Sequence, residues 1–225
     1  MRIAALTSGG KDSLFAAYAL QKEGHEIKYF LTIVSENPHS YMFHHPNIHL
    51  TKMQSEAAGI PLITGKTKGE KEEELKDLEK LLAKVKGKVD GVCTGALYSE
   101  YQKARIDAIC KKLGLVSLAP LWNIDLPEYW NLLFRNKFEV LITAVAAEGL
   151  GEKWLGRKID KNAVEELKKI SEKNRINIAG EGGEFETLVL DCPPFKKKIK
   201  ILKSRTEWHG DSGTFVVEKA VLEEK

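Results

Sequence analysis

The feature that most restricts the fold is an alternation in the first half of the chain. Five short apolar runs, at residues 2–6, 25–34, 60–63, 88–93 and 115–118, are separated by segments whose apolar residues recur at helical spacing. In the first such segment Leu14, Ala17, Tyr18 and Gln21 share a face, and Gly24 stands where a helix ends. In the third, residues 71–85, Leu75, Leu78, Leu82 and Val85 line one side of a highly charged helix. Short strands joined by helices pair in parallel, and right-handed crossovers distribute the helices over both faces. The expectation is a doubly wound α/β fold with a parallel five-stranded sheet.

The rhythm changes after Pro120. Residues 127–136 read as a helix and 139–146 as a near-continuous apolar strand. Gly149, Gly151 and Gly156 follow, and Asp160 can cap a helix running to about residue 173. Strand-like segments fall near 198–202 and 214–220. This pattern predicts a first domain over 1–122 and a smaller α+β domain over 123–225. An apolar fraction of 43% over 225 residues supports packed cores rather than disorder, and no apolar run is long enough to cross a bilayer.

The first apolar stretch breaks at glycine after five residues, so the N-terminus is not read as a signal peptide. Cys93, Cys110 and Cys192 lie far apart with no Cys-x-x-Cys pair, which argues against a disulfide scaffold or a cysteine zinc site and for a reducing cytoplasm. A net charge of +3 is a weak basic excess for a nucleic-acid binder. The charge is mostly Lys (29) and Glu (24), with only 3 Gln, a bias expected of a heat-adapted source.

The chemistry-bearing stretch is Thr7-Ser8-Gly9-Gly10-Lys11-Asp12-Ser13, between the first strand and the first helix. A helix start presents unpaired N–H groups and positive dipole ends at one spot. The glycines permit positive φ and close approach of an anion. Ser8 and Ser13 add hydroxyl donors and Lys11 a mobile cation, so the stretch reads as a phosphate cradle. It is neither a Walker A loop nor the dinucleotide Gly-x-Gly-x-x-Gly. The plainer alternative is a strand-to-helix turn with a serine cap.

Further constellations carry less information by themselves. Thr94-Gly95 ends the fourth strand, where open α/β sheets take ligands at their switch point. A ligand is therefore expected over the C-terminal edge of the sheet between the first and fourth strands, near Leu6, Thr7, Val34 and Gly95. Tyr101, Gln102 and Arg105 fall on one turn of the next helix and offer stacking, amide and cation, or form an ordinary solvated face.

Glu181, Glu184 and Glu186 surround Gly182 and Gly183, which suits an acidic ligand loop or a simple turn into a strand. In an extended chain Glu184 and Glu186 share a face and Phe185 takes the other. The loop is expected to face the cradle across an interdomain cleft. His44, His45 and His49 lack metal-site spacing and read as loop residues. The lysine run 196–203 reads as a solvated strand edge, with docking of an acidic or RNA-bearing partner as its alternative.

Ser8–Ser13, SGGKDS, resembles the PP-loop of the ATP pyrophosphatases. With GALYSEYQKAR at 95–105, EGGEFET at 181–187 before LDCP at 190–193, and SYMF at 40–43, the chain resembles the diphthine–ammonia ligase family nearly end to end. The resemblance implies an adenine nucleotide alpha hydrolase-like sheet and ATP as substrate. It also implies cleavage between the α and β phosphates and Mg²⁺ borne on the nucleotide, with Asp12 its nearest protein ligand. It assigns the phosphates to 8–13, and roles in catalysis to Lys11, Glu184 and Glu186.

The implied partners are translation elongation factor 2 carrying diphthine, and free ammonium, since the chain has no room for a glutaminase domain and residue 2 is Arg. The implied reaction is amidation through an acyl adenylate with release of AMP and pyrophosphate. A homodimer is open, no membrane association is expected, and RNA is disfavoured. The competing readings are a tRNA-modifying PP-loop enzyme and a non-catalytic ATP-binding module of the universal-stress type.

Overall fold

The computed structural model of the chain describes residues 1–37, 46–70 and 73–225. The segment 40–43, His44, His45 and the start of the helix expected at residue 71 lie outside the described residues. Two compact units make up the chain, residues 1–123 and 124–225.

The first unit runs β1 (Arg2–Leu6), α1 (Lys11–Lys22), β2 (Glu26–Ser35), a 3₁₀ turn (Ile48–Leu50), α2 (Thr51–Ala58), β3 (Leu62–Thr67), α3 (Glu73–Ala83), β4 (Gly91–Cys93), α4 (Glu100–Leu113) and β5 (Val116–Leu118). The strands form one parallel sheet in the order β3-β2-β1-β4-β5. The chain steps outward from β1 through β2 to β3, then crosses back to lay β4 on the other side of β1. The switch point therefore lies between β1 and β4. Flanked on both edges, β1 buries Ile3, Ala4 and Ala5 completely, which accounts for its unbroken apolar character.

On one face α3 and α4 close over the sheet. Leu78, Leu81, Leu82 and Val85 meet Ile106, Ile109 and Cys110 above Ala4, Leu31, Ile33 and Val92, with Leu75 partly buried at the margin. Full burial of each such leucine is worth about 1.5–3 kcal/mol. Local capping sets the limits of α4: the Ser99 hydroxyl accepts from the Gln102 N–H at 3.4 Å, and Gly114 closes the helix at φ 72°.

The strand spacing departs from the sequence pattern in two places. β3 covers 62–67 rather than 60–63, because Leu62–Thr67 pair with 30–35 of β2 despite an internal glycine. Gly65 faces α3, and a Cβ there would sit 3.4 Å from the Leu81 Cβ, in contact with it. β4 shortens to Gly91–Cys93, because the residues before it turn on the Val85 carbonyl, which accepts from Lys88 and Val89.

Arg2 ties β1 to the turn before β4. Its guanidinium donates to Asp90 at 2.7 Å, and its backbone N–H donates to the other carboxylate oxygen at 2.7 Å. These bonds pull the Asp90 carboxyl from its ordinary 3.8 down to about 2. A carboxyl lowered on folding stabilises the fold above its unfolded pKa and loses that contribution as pH falls through the folded value. Asp90→Asn is thus expected to melt below wild type at neutral pH, with the difference closing as pH falls from 3.8 to about 2. A difference that persists undiminished at pH 2 would refute the ion-pair account.

The second unit runs α5 (Leu126–Arg135), β6 (Glu139–Val145), a 3₁₀ turn (Glu152–Trp154), α6 (Lys161–Asn174), β7 (Phe185–Asp191), β8 (Lys197–Trp208) and β9 (Gly213–Glu224). Its sheet is antiparallel in the order β7-β6-β9-β8. Asp125 and Asp160 cap α5 and α6, accepting from the Glu128 and Ala163 N–H groups at 3.0 and 2.7 Å. Tyr129, Trp130 and Leu133 form the buried face of α5.

The late strands are far longer than expected, since β8 and β9 pair from Lys197↔Glu224 to Trp208↔Gly213 as one hairpin. That register sets the lysine run against glutamates: Lys197 meets Glu224 at 2.7 Å, Lys200 meets Glu223 at 2.6 Å and Lys203 meets Glu218 at 2.7 Å. Exposed pairs add little stability, but they cancel much of the positive field that the run suggests. Among the described residues no helix is long and apolar enough to cross a membrane.

Candidate functional site

The loop after β1 is pinned from several sides. The Thr7 N–H donates to the Leu31 carbonyl, and the Thr32 hydroxyl donates to the Thr7 carbonyl, both at 2.8 Å. The Gly9 N–H donates to the Thr7 hydroxyl at 3.0 Å, and that hydroxyl lies 3.1 Å from the hydroxyl of Ser13. Ser13 also donates to the Gly10 carbonyl at 3.1 Å. Gly9 adopts φ 86°, a conformation that favours glycine.

Gly10 is the extended N-cap of α1 and makes no side-chain cap bond. Lys11, the first helical residue, is only 2% exposed, and its ammonium pairs with the Asp12 carboxylate at 3.0 Å. Thr7, Ser8, Gly9, Gly10, Lys11, Asp12 and Ser13 thus run as one continuous turn from the C-terminal end of β1 into α1. Backbone N–H dipoles, hydroxyls and a cation are the groups from which an anion site can be built.

The other residues singled out in this unit lie along the same edge of the sheet. Leu6 is half-buried at the end of β1, and Val34 is half-buried near the end of β2, opposite Lys66 of β3. Gly95 follows β4 and abuts α1: a Cβ there would lie 2.5 Å from the Asp12 carbonyl carbon and 2.5 Å from the Ser13 nitrogen. The close approach that Gly95 permits in the structure is thus to the first turn of α1. On α4 the Arg105 guanidinium lies over the Tyr101 ring at 3.3 Å and donates to the Tyr101 carbonyl at 3.4 Å, one turn from the half-buried Gln102. His49 is exposed in the 3₁₀ turn before α2.

Two residues that hold the loop escape local reading. Thr32 is a 1% exposed hydroxyl in the middle of an apolar strand. Gln54 is a 1% exposed amide on α2, and its Nε2 donates to the Gly9 carbonyl at 2.9 Å. Each is a polar residue at a position that periodicity assigns to the core, and that mismatch is the signal available in sequence.

The carboxylate loop of the second unit is built around its own backbone. Asn177 starts an Asx turn, its side chain accepting from the Ala179 N–H at 2.7 Å. Gly180 and Gly183 take positive φ, and the Gly183 N–H donates to the Gly180 carbonyl at 3.1 Å. Glu184 uses both carboxylate oxygens inside the loop, accepting from the Asn177 N–H at 2.7 Å and the Gly182 N–H at 2.8 Å. A charge-assisted bond at each oxygen makes Glu184 a brace for the turn.

Phe185 is buried, as the alternation requires, and Glu186 stands half-buried opposite Ala144 of β6. The β6–β7 register shifts between Ile142 and Ala144, leaving Thr143 as an extra residue beside the Glu186 pair. Bulges of this kind re-aim neighbouring side chains.

Cys93, Cys110 and Cys192 are free and buried. Burial pushes the Cys110 thiol up to about 11 and raises Cys93 and Cys192 as well, so none is a thiolate near neutral pH.

The first unit is an open parallel sheet with the glycine loop at its switch point and the second a smaller antiparallel sheet domain, which makes the chain a two-domain α/β protein. Residues 1–117 match the family model described as the diphthamide synthase N-terminal domain, and residues 127–222 match the one described as the diphthamide synthase C-terminal domain. The chain belongs to the diphthamide synthase family.

Among curated relatives, the diphthine–ammonia ligase of Bos taurus is 35% identical over 231 residues, covering 93% of this chain and 86% of that protein. The Danio rerio protein of the same name is 36% identical, covering 94% and 90%. The diphthine–ammonia ligase of Schizosaccharomyces pombe is 31% identical over the whole of this chain and 40% of that longer protein. A solved structure described as a predicted subunit of a tRNA methyltransferase from Methanocaldococcus jannaschii is similar at TM-score 0.47 and 15% identity, over 86% of this chain and 98% of that one.

Proposed function

We propose that this chain is an ATP-dependent ligase that converts the carboxylate of diphthine, carried on translation elongation factor 2, into the amide with free ammonium. The observation that carries the reading is the N–H and hydroxyl cradle of residues 7–13, set at the switch point of a chain that matches both diphthamide synthase domains.

The diphthine carboxylate attacks the α phosphorus of ATP, and pyrophosphate leaves to give an acyl adenylate. Ammonia then attacks the acyl carbon, AMP leaves, and the nitrogen loses a proton. Negative charge develops on the departing pyrophosphate, where first-turn N–H groups of α1, the hydroxyls of Ser8 and Ser13, and Lys11 supply fixed compensation. Leu6, Thr7, Val34 and Gly95 are proposed to border the adenosine, with Gln102 and Arg105 at its margin.

Among the described residues no group of three His, Cys, Asp or Glu side chains is arranged to hold a metal. A Mg²⁺ would come with the phosphate oxygens of the nucleotide, and the partly exposed Asp12 carboxylate is the residue that would hold it. The ion would supply charge neutralisation on the phosphates.

Glu186 is assigned to the amide-forming half, orienting ammonia and taking its proton. Glu184 serves the same step by holding the loop. Glu186→Gln is expected to slow amide formation about 100-fold, the scale of a lost general base, while acyl adenylate formation without ammonium proceeds at the wild-type rate. Glu184→Gln, which loses a charge from two short bonds, is expected to cost about 1–3 kcal/mol of stability as well. Wild-type amide formation by Glu186→Gln would remove that residue from the chemistry.

The function itself is tested with elongation factor 2 bearing diphthine, ATP, Mg²⁺ and ammonium. Mass spectrometry should show carboxylate-to-amide conversion, with AMP and pyrophosphate formed in equal amount. ADP as the nucleotide product, or no conversion, would sink the reading. The tRNA-modifying alternative is disfavoured by the glutamates that offset the lysine run and by three buried, protonated cysteines unsuited to sulfur transfer.

A further inference from the structure

Gln54 lies outside the loop that carries the phosphate chemistry, yet it holds the central peptide of that loop. The amide sits on α2, 45 residues from Gly9 in sequence, and is 1% exposed. Its Nε2 donates to the Gly9 carbonyl at 2.9 Å. On the preceding peptide, the Gly9 N–H donates to the Thr7 hydroxyl at 3.0 Å. Both peptide planes that meet at Gly9 are therefore fixed, one by Thr7 and one by Gln54.

The consequence follows from planarity. No peptide bond in the described residues is cis, and in a trans peptide the C=O and the following N–H point in opposite directions. Drawing the Gly9 carbonyl toward α2 turns the Gly10 N–H to the side away from α2. Without the Gln54 bond, a glycine pair faces little steric resistance to a peptide flip, because glycine accepts either sign of φ. A flip would present a carbonyl oxygen where the cradle needs a donor. The packing is specific as well: a Cβ at Gly9 would lie 2.7 Å from Gln54 Oε1, so Gly9 and Gln54 fit one another.

We propose that Gln54 is a positioning residue for the phosphate loop, which orients the Gly9–Gly10 peptide so that the Gly10 N–H donates to the β and γ phosphates of the nucleotide. This rests on the nucleotide reading above. Gln54 touches neither substrate nor reacting atoms and acts through the backbone alone.

The test uses calorimetric titration of the full chain with inorganic pyrophosphate and, separately, with AMP. The variants are Gln54→Met, which keeps length but removes the donor, and Gln54→Leu, which removes the donor in a branched uncharged side chain. Folding is checked by circular dichroism and thermal melting, and if Gln54→Met does not fold, Gln54→Leu carries the test. Pyrophosphate affinity is expected to fall about tenfold or more in the folded variants, the scale of one hydrogen bond to a charged group. AMP affinity should stay within about twofold, and the Gly10 amide resonance should lose the shift that pyrophosphate causes in wild type.

A merely structural role would weaken AMP and pyrophosphate together, and that outcome overturns the proposal. So does unchanged pyrophosphate affinity in a folded variant. A wild-type chain that binds neither ATP nor pyrophosphate overturns the nucleotide reading first, and this inference with it.

Discussion

Lys11→Met is expected to lower the rate of acyl adenylate formation by about 100- to 1000-fold, the loss of about 2.7–4 kcal/mol that follows removal of one preorganised charge-stabilising donor. Three observations set the size of this effect. Lys11 is the first residue of α1, so its charge adds to the positive end of the helix. Its side chain is 2% exposed, so little water competes for the ammonium. Its partner Asp12 is only partly buried, so releasing the ammonium toward an incoming phosphate leaves a carboxylate that water or Mg²⁺ can meet.

Methionine preserves the buried aliphatic stem, whereas alanine would add a cavity cost and blur the result. Lys11→Arg is expected to be nearly as slow, because a bulkier planar cation cannot occupy a fully packed site. The measurement is single-turnover formation of acyl adenylate beside a melting curve. Turnover of Lys11→Met near wild type, with the fold intact, would remove Lys11 from the mechanism.

Gly95→Ala is the second large effect, and it arises from packing rather than charge. The added methyl would meet the Asp12 carbonyl carbon and the Ser13 nitrogen at 2.5 Å, and backbone atoms cannot swing aside as a side-chain tip can. Either β4 and its loop or the first turn of α1 must shift. Overpacking of this kind costs about 1–3 kcal/mol. The functional cost is expected to be larger, because a shift of about 1 Å at a positioned group can lower a rate about 100-fold.

Gly91→Ala provides the control. A Cβ there would lie 2.8 Å from the Val116 carbonyl oxygen, at the end of β4 away from the cradle. It should destabilise the sheet comparably while the folded protein keeps its pyrophosphate affinity. If both glycine variants lose binding in proportion to stability, Gly95 has no special relation to the loop.

The parts of the candidate site that could be read in advance are those written in adjacent residues. SGGKDS lies between an apolar run and a helical run, and this six-residue turn is legible from adjacent residues alone. The bonds that make it rigid were not legible. Thr32 and Gln54 reach Thr7 and Gly9 from other elements, and nothing around either residue announces those bonds. Glu184 illustrates the same limit in the second unit. Its place in a carboxylate cluster suggests chemistry, but its two oxygens are engaged by Asn177 and Gly182, which only the folded turn brings to it.

The sequence by itself determined the doubly wound first half, the Asp160 cap and the place of the glycine loop between the first strand and the first helix, because each depends on spacing within a few residues. Tertiary structure alone decided the length of β3, the pairing of the lysine run with glutamates across the β8–β9 hairpin, the fit of Gly95 against α1 and the bond from Gln54 to Gly9. Those depend on which segments meet in space. Burial and ladder hydrogen bonds between distant residues there outweigh local propensities worth only tenths of a kcal/mol to about 1 kcal/mol per residue.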